Sequence, residues 1–359
     1  MKKLVMISMR ASPNQVRFIP ALAKYFDVHH YFYKDADVAW KKVPLGDRCH
    51  LLDCGFKWHD RFFSFKILKL LRKHNPDVIF LGGMSIPGNY LAYLWGKWHG
   101  RKVGVFTERS RVMSTGKPRG YDWKWRLLHW LYRKIDFIMP TDADIVPQFR
   151  DVFRFGDKVV AGRYPSDIGK YYDTPKRGKK ASYTIIYPNR MLDIYNPLGM
   201  VDIFSRVLKR YPATILKMNA VGALRSQVEA RIRELGIEKN VVFLDALKTW
   251  DDLIGVYASC DIMTLPAKFS NGNFTIAECA VSGLACVISD KVKGAYALML
   301  NRADVLELVE DLFVERICHY IEHPEEISQN VDVYRKKLRA ETFEGTAELY
   351  KDIIERMCA

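Results

Sequence analysis

The sequence predicts an α/β protein with two doubly wound domains, each built on a parallel sheet. Two observations support this prediction. Short apolar runs alternate with amphipathic segments along most of the 359 residues, and a polar stretch without apolar periodicity interrupts the alternation at residues 165–182. Alternating strands and helices favour parallel sheets. A chain of this length also suits two hydrophobic cores better than one.

The first half of the chain predicts an N-terminal domain of residues 1–165. Its predicted strands are Leu4–Ser8, Val78–Leu81, Val103–Thr107 and Phe137–Pro140. Its predicted helices are Val16–Tyr25, Asn89–His99 and Trp123–Lys134. The polar stretch then predicts an interdomain linker over residues 166–182, because it is rich in turn-forming residues.

The alternation restarts after the linker and predicts a C-terminal domain of residues 183–340. Its predicted strands are Tyr183–Tyr187, Thr214–Met218, Val241–Leu244, Ile262–Leu265 and Cys286–Ser289. Its predicted helices are Gly199–Arg210, Ser226–Leu235, Trp250–Ser259 and Thr275–Ser282. We expect a last helix, residues 341–359, to pack back towards the N-terminal domain. Two Rossmann-like units of this kind would face a cleft at the carboxyl ends of their strands.

The net positive charge of the chain comes entirely from its first half. The formal net charge is +15, with 31 basic and 16 acidic residues in 1–175 and 25 of each in 176–359. The first half therefore favours an anionic partner, such as phospholipid, a pyrophosphate-linked acceptor or nucleic acid. A generally basic surface without a specific partner is the alternative.

Two stretches of the basic half mix Lys and Arg with aromatic residues. They are Arg61–Lys73 and Lys117–Lys134, and the second contains Trp123, Trp125, Trp130 and Tyr132. Such a mixture is typical of helices that lie on an anionic bilayer, although a core-facing helix with a solvated basic side has the same composition. Taken together, the stretches favour peripheral contact with a membrane surface rather than nucleic acid. The basic residues expected to make that contact are Lys66, Lys69, Arg72, Lys73, Lys124 and Arg126.

The absence of several sequence motifs argues against some classes of protein. The seven cysteines form no C-x-x-C pair, which favours free thiols in a reducing cytoplasm. No zinc-type spacing of His and Cys occurs, so we expect no metal site. The chain also lacks G-x-G-x-x-G, Walker A and G-x-S-x-G sequences, which argues against dehydrogenases, P-loop enzymes and α/β-hydrolases.

Residues 262–290 are the most informative segment for chemistry. A predicted strand ends at Pro266, a loop rich in Gly and Asn follows, and a helix begins near Thr275 and carries Glu278. Unpaired amides at such a helix start favour a diphosphate, because the helix dipole attracts negative charge there. Glu278 lies about one turn in, where its carboxylate suits ribose hydroxyls. A surface helix with an ordinary cap and a solvated Glu is the alternative.

Three blocks of the second half resemble a known family. They are Val241–Asp245, Ala258–Pro266 and Glu278–Val287, and they resemble the C-terminal domain of glycosyltransferase family 4. The resemblance covers roughly residues 183–330. It implies the GT-B fold and a retaining transfer from a nucleoside diphosphate sugar, with neither a metal nor a covalent enzyme nucleophile.

The resemblance also assigns roles to individual residues. Glu278 matches the second glutamate of the family's two-glutamate signature, and Ser270 replaces the first. Arg190 matches an arginine that holds the diphosphate. The partner lysine of that arginine falls on or near Tyr195 and Asn196, and Lys268 is the candidate replacement. The implied donor-binding set is Arg190, Lys268, Ser270, Asn271, Gly272, Asn273, Phe274, Thr275 and Glu278.

The sequence offers Arg190 and Glu108 as catalytic candidates. Arg190 would stabilise charge on the leaving diphosphate. Glu108, which Arg109 and Arg111 follow closely in the chain, would either orient an acceptor hydroxyl or form a structural ion pair. We therefore predict a glycosyltransferase with a glycan or lipid-linked acceptor, acting in bacterial surface polysaccharide or lipopolysaccharide synthesis at the inner face of the membrane. The alternatives are a GT-B nucleotide-sugar epimerase and a non-catalytic basic binding protein.

Overall fold

The computed structural model describes residues 1–36, 41–52, 56–58, 61–107, 120–141, 143–174, 181–245, 247–270, 274–292, 299 and 301–358. The strands in these ranges are β1 (Lys3–Arg10), β2 (Asp27–Lys34), β3 (Cys49–Leu51), β4 (Phe56–Trp58), β5 (Arg61–Phe63), β6 (Val78–Gly82), β7 (Lys102–Thr107), β8 (Phe137–Pro140), β9 (Thr184–Tyr187), β10 (Ile215–Met218), β11 (Val241–Phe243), β12 (Ile262–Leu265), β13 (Ala285–Ser289) and β14 (Val305–Leu306). The helices are α1 (Pro13–Leu22), α2 (Lys66–His74), α3 (Pro87–Trp98), α4 (Trp123–Leu131), α5 (Pro197–Arg210), α6 (Arg225–Leu235), α7 (Asp252–Ala258), α8 (Phe274–Val281), α9 (Glu310–Glu322), α10 (Pro324–Lys337) and α11 (Phe343–Met357).

The chain divides into two compact units, each with its own parallel sheet. Unit 1 contains Met1–Asp167 and Ala340–Ala359, and unit 2 contains Ile168–Arg339. The six-stranded sheets have the orders β3-β2-β1-β6-β7-β8 and β11-β10-β9-β12-β13-β14. Numbered within each sheet, both orders are 3-2-1-4-5-6, the doubly wound Rossmann order. The prediction of two Rossmann-like sheets is confirmed.

Strand β1 shows why both faces of the unit 1 sheet are covered. Val5 and Ile7 pack with α2, α3 and α4 on one face, whereas Leu4 and Met6 pack with α1 and α11 on the other. Successive side chains of a strand point to opposite faces, so an unbroken apolar run is buried on both sides. This is the pattern of a parallel sheet between two helical layers.

The C-terminal helix α11 completes the second of these layers. The rings of Phe18 and Tyr350 meet edge to face at a centroid distance of 5.1 Å, and the Tyr350 hydroxyl donates to the Arg163 carbonyl at 2.9 Å. Thr342 caps the helix by accepting a hydrogen bond from the Gly345 amide at 3.1 Å. The end of the chain is therefore part of unit 1.

The predicted linker, residues 166–182, differs from the structure in its first part. Ile168 and Tyr171 are fully buried, and Arg335 of α10 donates to the Thr174 carbonyl at 2.9 Å, all within unit 2. Apolar and aromatic residues are few in this polar stretch, so they leave no periodicity in the sequence. Residues 175–180 lie outside the described part.

Some elements of unit 1 were not predicted from the sequence. Strand β2 (DVHHYFYK) pairs with β1 and β3, yet it carries two histidines and no apolar run in its first half. The stretch 61–73, predicted as a helix, contains β5, which pairs antiparallel with β4, and only then α2. In the described ranges, every helix falls short of the length and apolarity needed to cross a membrane.

Candidate functional site

The candidate site lies at the centre of the unit 2 sheet. Strands β9 and β12 are neighbours there, with β10 and β11 on one side and β13 and β14 on the other. The connections from this point run in opposite directions, which makes it a topological switch point. Ligands of open α/β sheets bind at the carboxyl ends of the strands at such a point. The predicted donor-binding residues all follow β9 or β12 in the chain.

The loop after β9 carries Arg190 in a fixed backbone position. The Met191 amide donates to the Val221 carbonyl at 2.8 Å, and the Leu224 amide donates to the Met191 carbonyl at 3.0 Å. Gly222 has φ +150°, and a Cβ there would lie 2.4 Å from the Met191 carbonyl oxygen, so only glycine allows this approach. The Arg190 side chain is exposed and forms no ion pair with any described residue, which leaves its guanidinium available to an anion.

The loop after β12 is joined to the loop after β9. The Lys268 and Phe269 amides both donate to the Ile194 carbonyl, at 2.9 and 3.1 Å. The Lys268 ammonium also pairs with the Asp193 carboxylate at 2.6 Å. Both of these side chains are well exposed, so the ion pair adds little stability. A diphosphate would have to share the Lys268 charge with Asp193, a partner that the sequence analysis missed.

Residues 195 and 196, where the resemblance implies a lysine, cap helix α5 and accept a hydrogen bond at a backbone carbonyl in this structure. Asn196 adopts φ +56° and caps α5, its side-chain oxygen accepting from the Gly199 amide at 3.3 Å. The Tyr195 carbonyl accepts a hydrogen bond from the Tyr187 hydroxyl at 3.0 Å. Asparagine tolerates the left-handed conformation better than lysine does. The missing lysine therefore coincides with a helix start that needs a short capping side chain.

Ser270 joins the β12 loop to the segment after β13. It is 4% exposed, its amide donates to the Lys291 carbonyl at 3.3 Å, and it forms a parallel bridge with Val292. Helix α8 begins at Phe274, which is exposed, and Thr275 follows at intermediate exposure. Asn271, Gly272 and Asn273 lie outside the described residues.

Glu278 lies on α8 and is enclosed by tyrosines. It is 5% exposed, and the Tyr257 hydroxyl of α7 donates to its Oε2 atom at 3.2 Å. Tyr171 stands beside Tyr257 at a ring centroid distance of 5.5 Å. Burial, and after it the negative charge of Glu278, raises the pKa of both tyrosines. The phenols therefore stay protonated at neutral pH, and Tyr257 acts as a donor to the carboxylate.

The structure thus brings together most of the described candidates. Arg190, Lys268 and Ser270 belong to loops that touch through backbone hydrogen bonds, and α8 with Glu278 continues from the same segment. Glu108, the other catalytic candidate, lies outside the described residues, so its role stays a prediction. The part of the chain that is described holds no group of three or more His, Cys, Asp or Glu able to bind a metal ion.

Tyr171 and Tyr257 were not predicted from the sequence as neighbours of Glu278. Tyr171 falls in the predicted linker, and Tyr257 falls on the buried face of a short helix, where an aromatic residue indicates packing. The apolar context of α8 itself was the available signal. A glutamate within the run FTIAECAV is surrounded by apolar residues, and a buried carboxylate needs hydrogen-bond donors.

Comparison with known proteins agrees with this geometry. Residues 183–323 match the family model described as Glycosyl transferases group 1. Among solved structures, HepE from Anabaena, in complex with UDP and glucose, has a TM-score of 0.73 at 12% identity, covering 99% of this chain and 100% of HepE. The chain has the GT-B fold.

Two further structures resemble this GT-B protein over nearly its full length. A glycosyltransferase from Rickettsia africae ESF-5 has a TM-score of 0.72 at 14% identity, covering 99% of this chain and 98% of its own. WaaG, a glycosyltransferase involved in lipopolysaccharide biosynthesis, has a TM-score of 0.68 at 12% identity, covering 98% and 99%. Among curated proteins, none matches by sequence. The family match of residues 183–323 supports a glycosyltransferase, the solved structures show the fold, and the finer family 4 assignment stays a prediction.

Proposed function

We propose that this GT-B protein transfers a sugar from a nucleoside diphosphate sugar to a glycan or lipid-linked acceptor, with retention of the anomeric configuration. The observation that carries the proposal is the meeting of the β9 and β12 loops at the switch point of unit 2. An exposed Arg190 guanidinium stands on one loop, and the other leads into α8 with its buried Glu278. This combination suits a ligand with an anionic centre and hydroxyl groups on either side.

The donor diphosphate would bind between Arg190 and the start of α8. The helix dipole favours negative charge at a helix N-terminus. During transfer, negative charge grows on the diphosphate as the bond to the sugar C1 atom breaks. Arg190 would stabilise that charge, and its fixed loop means that little reorganisation is needed in the transition state. Glu278 would accept hydrogen bonds from the ribose, and Ser270 would contact the transferred sugar.

The biological setting follows by analogy. WaaG, which has the same fold, is a glycosyltransferase of lipopolysaccharide biosynthesis, and HepE was solved with UDP and glucose. We accordingly propose a role in bacterial surface polysaccharide or lipopolysaccharide synthesis, with a uridine nucleotide as the first donor to test. The alternative, a nucleotide-sugar epimerase of the same fold, would consume donor without any acceptor.

The first test combines thermal unfolding with turnover. A nucleoside diphosphate that binds the native state should raise its melting temperature, by an amount equivalent to about 2.7 kcal/mol at a hundredfold excess over Kd. UDP, GDP and ADP are compared first, and the corresponding nucleotide sugars are then assayed with glycan and lipid-linked acceptors. We expect turnover to persist with a chelator present, because the proposed mechanism needs no metal.

Variants of Arg190 show whether the site is the one proposed. Arg190→Ala should lower turnover at least tenfold while leaving folding stability near the wild-type value, because its charge acts mainly in the transition state. Arg190→Lys should restore only part of the rate, since an ammonium cannot reproduce the guanidinium fork. Arg233→Ala is the matched control. Arg233 is exposed in the last turn of α6, which leads into β11 and so lies at the amino ends of the strands, opposite the carboxyl ends where the site is placed. Near-normal turnover of Arg190→Ala would refute the assignment, and donor consumption without acceptor would favour the epimerase.

A further inference from the structure

Helices α2, α3 and α4 form one layer on unit 1, called here the α2–α3–α4 layer. Their buried residues Leu71, Trp95 and Leu128 belong to the same core cluster. Helix α3 contacts α2 directly, and the rings of Tyr90 and Tyr132 connect α3 to the end of α4 at a centroid distance of 5.5 Å. The helices of the two basic stretches, α2 and α4, therefore lie in one layer, with α3 between them.

The outward side of this layer exposes large apolar side chains. Trp123, Leu127 and Trp130 follow one another at spacings of four and three on α4, and Leu94 and Trp98 are four apart on α3, so each set forms a stripe. Trp98 is 88% exposed, Trp123 74% and Trp130 61%. Trp98 was not predicted from the sequence as part of this surface. Trp125 was predicted to belong to it and is buried.

The same layer is basic and almost free of acidic side chains. Helices α2, α3 and α4 contain no Asp or Glu. The exposed residues of α2 are Lys66, Lys69, Arg72 and Lys73. Acidic residues do occur at the border of the layer, where Asp122 caps α4 and Asp136 pairs with Lys97 at 2.6 Å. The layer therefore carries a basic ridge on α2 beside the two apolar stripes.

The opposite layer of unit 1, formed by α1 and α11, is mixed in charge and less apolar at its surface. The outward positions of α11 include four acidic residues, and in the described part of α1 and α11 no large apolar side chain is exposed. The acidic residues are Glu344, Glu348, Asp352 and Glu355. The basic and apolar surface is thus a property of one face of unit 1 and not of the whole unit.

We propose that the α2–α3–α4 layer docks on an anionic lipid bilayer. Lys and Arg are attracted to anionic headgroups, whereas Trp side chains favour the boundary between headgroups and acyl chains. The exposed Leu94 and Leu127 favour a bilayer over nucleic acid, because an aliphatic side chain gains nothing from phosphate contacts but does gain from insertion between lipids. The docking does not depend on the proposed glycosyl transfer.

Vesicle co-sedimentation of the full chain tests the proposal. The vesicles are phosphatidylcholine alone, or phosphatidylcholine mixed with phosphatidylglycerol. We expect binding to require the anionic lipid and to weaken as salt rises, because screening shortens the reach of the charges. Brominated lipids should also quench tryptophan fluorescence of the wild type, since Trp98 and Trp130 would lie near the acyl chains.

Two double variants separate the apolar and basic contributions. Trp98→Ser with Trp130→Ser should lower partitioning roughly tenfold and reduce quenching, and Lys69→Gln with Arg72→Gln should lower partitioning roughly tenfold at low salt. The matched control is Lys24→Gln with Arg356→Gln, which removes two charges from the opposite layer and should leave binding unchanged. Because all these side chains are exposed, the variants should fold, and circular dichroism verifies this.

Three outcomes would overturn the proposal. The first is that the wild type does not bind anionic vesicles at low salt. The second is an equal loss of binding in the control variant, which would mean that net charge alone is responsible. The third is salt-sensitive binding to single-stranded or duplex nucleic acid without vesicle binding, which would assign the layer to a different partner.

Discussion

At the scale of single residues, the position of Glu278 along the chain was predicted from the sequence, but the burial of its carboxylate was not. Its place on a helix after a strand and a loop follows from the residues between Pro266 and Gly283. Its burial under Tyr257 and Tyr171 does not, because those residues come from α7 and from a segment without periodicity. Sequence spacing locates a side chain on its own element, whereas its partners depend on how distant elements pack.

Substitutions at Glu278 should separate ligand binding from packing. Glu278→Ala should weaken nucleoside diphosphate binding by about 1.5–3 kcal/mol, the usual value of a hydrogen bond to a charged group, and also lower stability by leaving the buried Tyr257 hydroxyl without its acceptor. Glu278→Gln keeps an oxygen for Tyr257, so affinity should fall while stability stays close to that of the wild type. Calorimetry measures the first quantity and thermal unfolding the second. Unchanged affinity in both folded variants would remove Glu278 from the site.

At the scale of elements, apolar runs were the dependable signal. The strands β1, β6, β9, β12 and β13 are buried along most of their length, and all were predicted within a few residues. Strand β2 was missed because its polar His29 and His30 interrupt the pattern. His30 is buried and shares a hydrogen bond with Ser8 on the neighbouring strand. The sequence of β2 alone does not show this tertiary contact.

The start of α5 provides a prediction at this scale. Asn196 combines a left-handed backbone with a capping side chain, next to the β9 loop that carries Arg190. Asn196→Ala should destabilise unit 2 by about 1–2 kcal/mol, because it loses the cap and also strains the backbone. Asn196→Gly should cost only a few tenths of a kcal/mol, since glycine adopts the same φ freely. Urea unfolding compares the two. Equal losses in both variants would show that the left-handed backbone conformation adds no cost for a residue with a Cβ there.

At the scale of the whole molecule, the charge asymmetry found in the sequence became a structural one. The net charge predicted an anionic partner for the first half, but not which surface would meet it. Folding places the basic helices on one face of unit 1 and the acidic exposed positions of α11 on the other. Counting charges predicts the net charge of a domain. Which face of the sheet carries that charge depends on where the fold places each helix.

The histidines of unit 1 form the second large-scale feature. Burial lowers the pKa of His30 from 6.5 to about 3, and that of His74 to about 4. Burial also lowers the pKa of His29 and His50, which lie beside His74. The positive charge of Lys73 lowers the pKa of His29, His50 and His74 further. The carboxylate of Asp27 opposes the shift at His29 and His74. Each of these rings is therefore held neutral in the folded protein under conditions where the unfolded chain would bind a proton.

Unit 1 should consequently lose stability in acid. Between pH 6.5 and the lowered pKa of each ring, the unfolded state binds more protons, so stability is full above pH 6.5 and falls as the pH drops towards 4. The slope for a fully buried ring such as His30 is at most about 1.4 kcal/mol per pH unit. Thermal unfolding across this range measures the slope, and His30→Gln, which removes the titrating ring, should flatten it whatever the variant's absolute stability. A slope that is the same in the variant and the wild type would show that His30 does not carry the acid sensitivity.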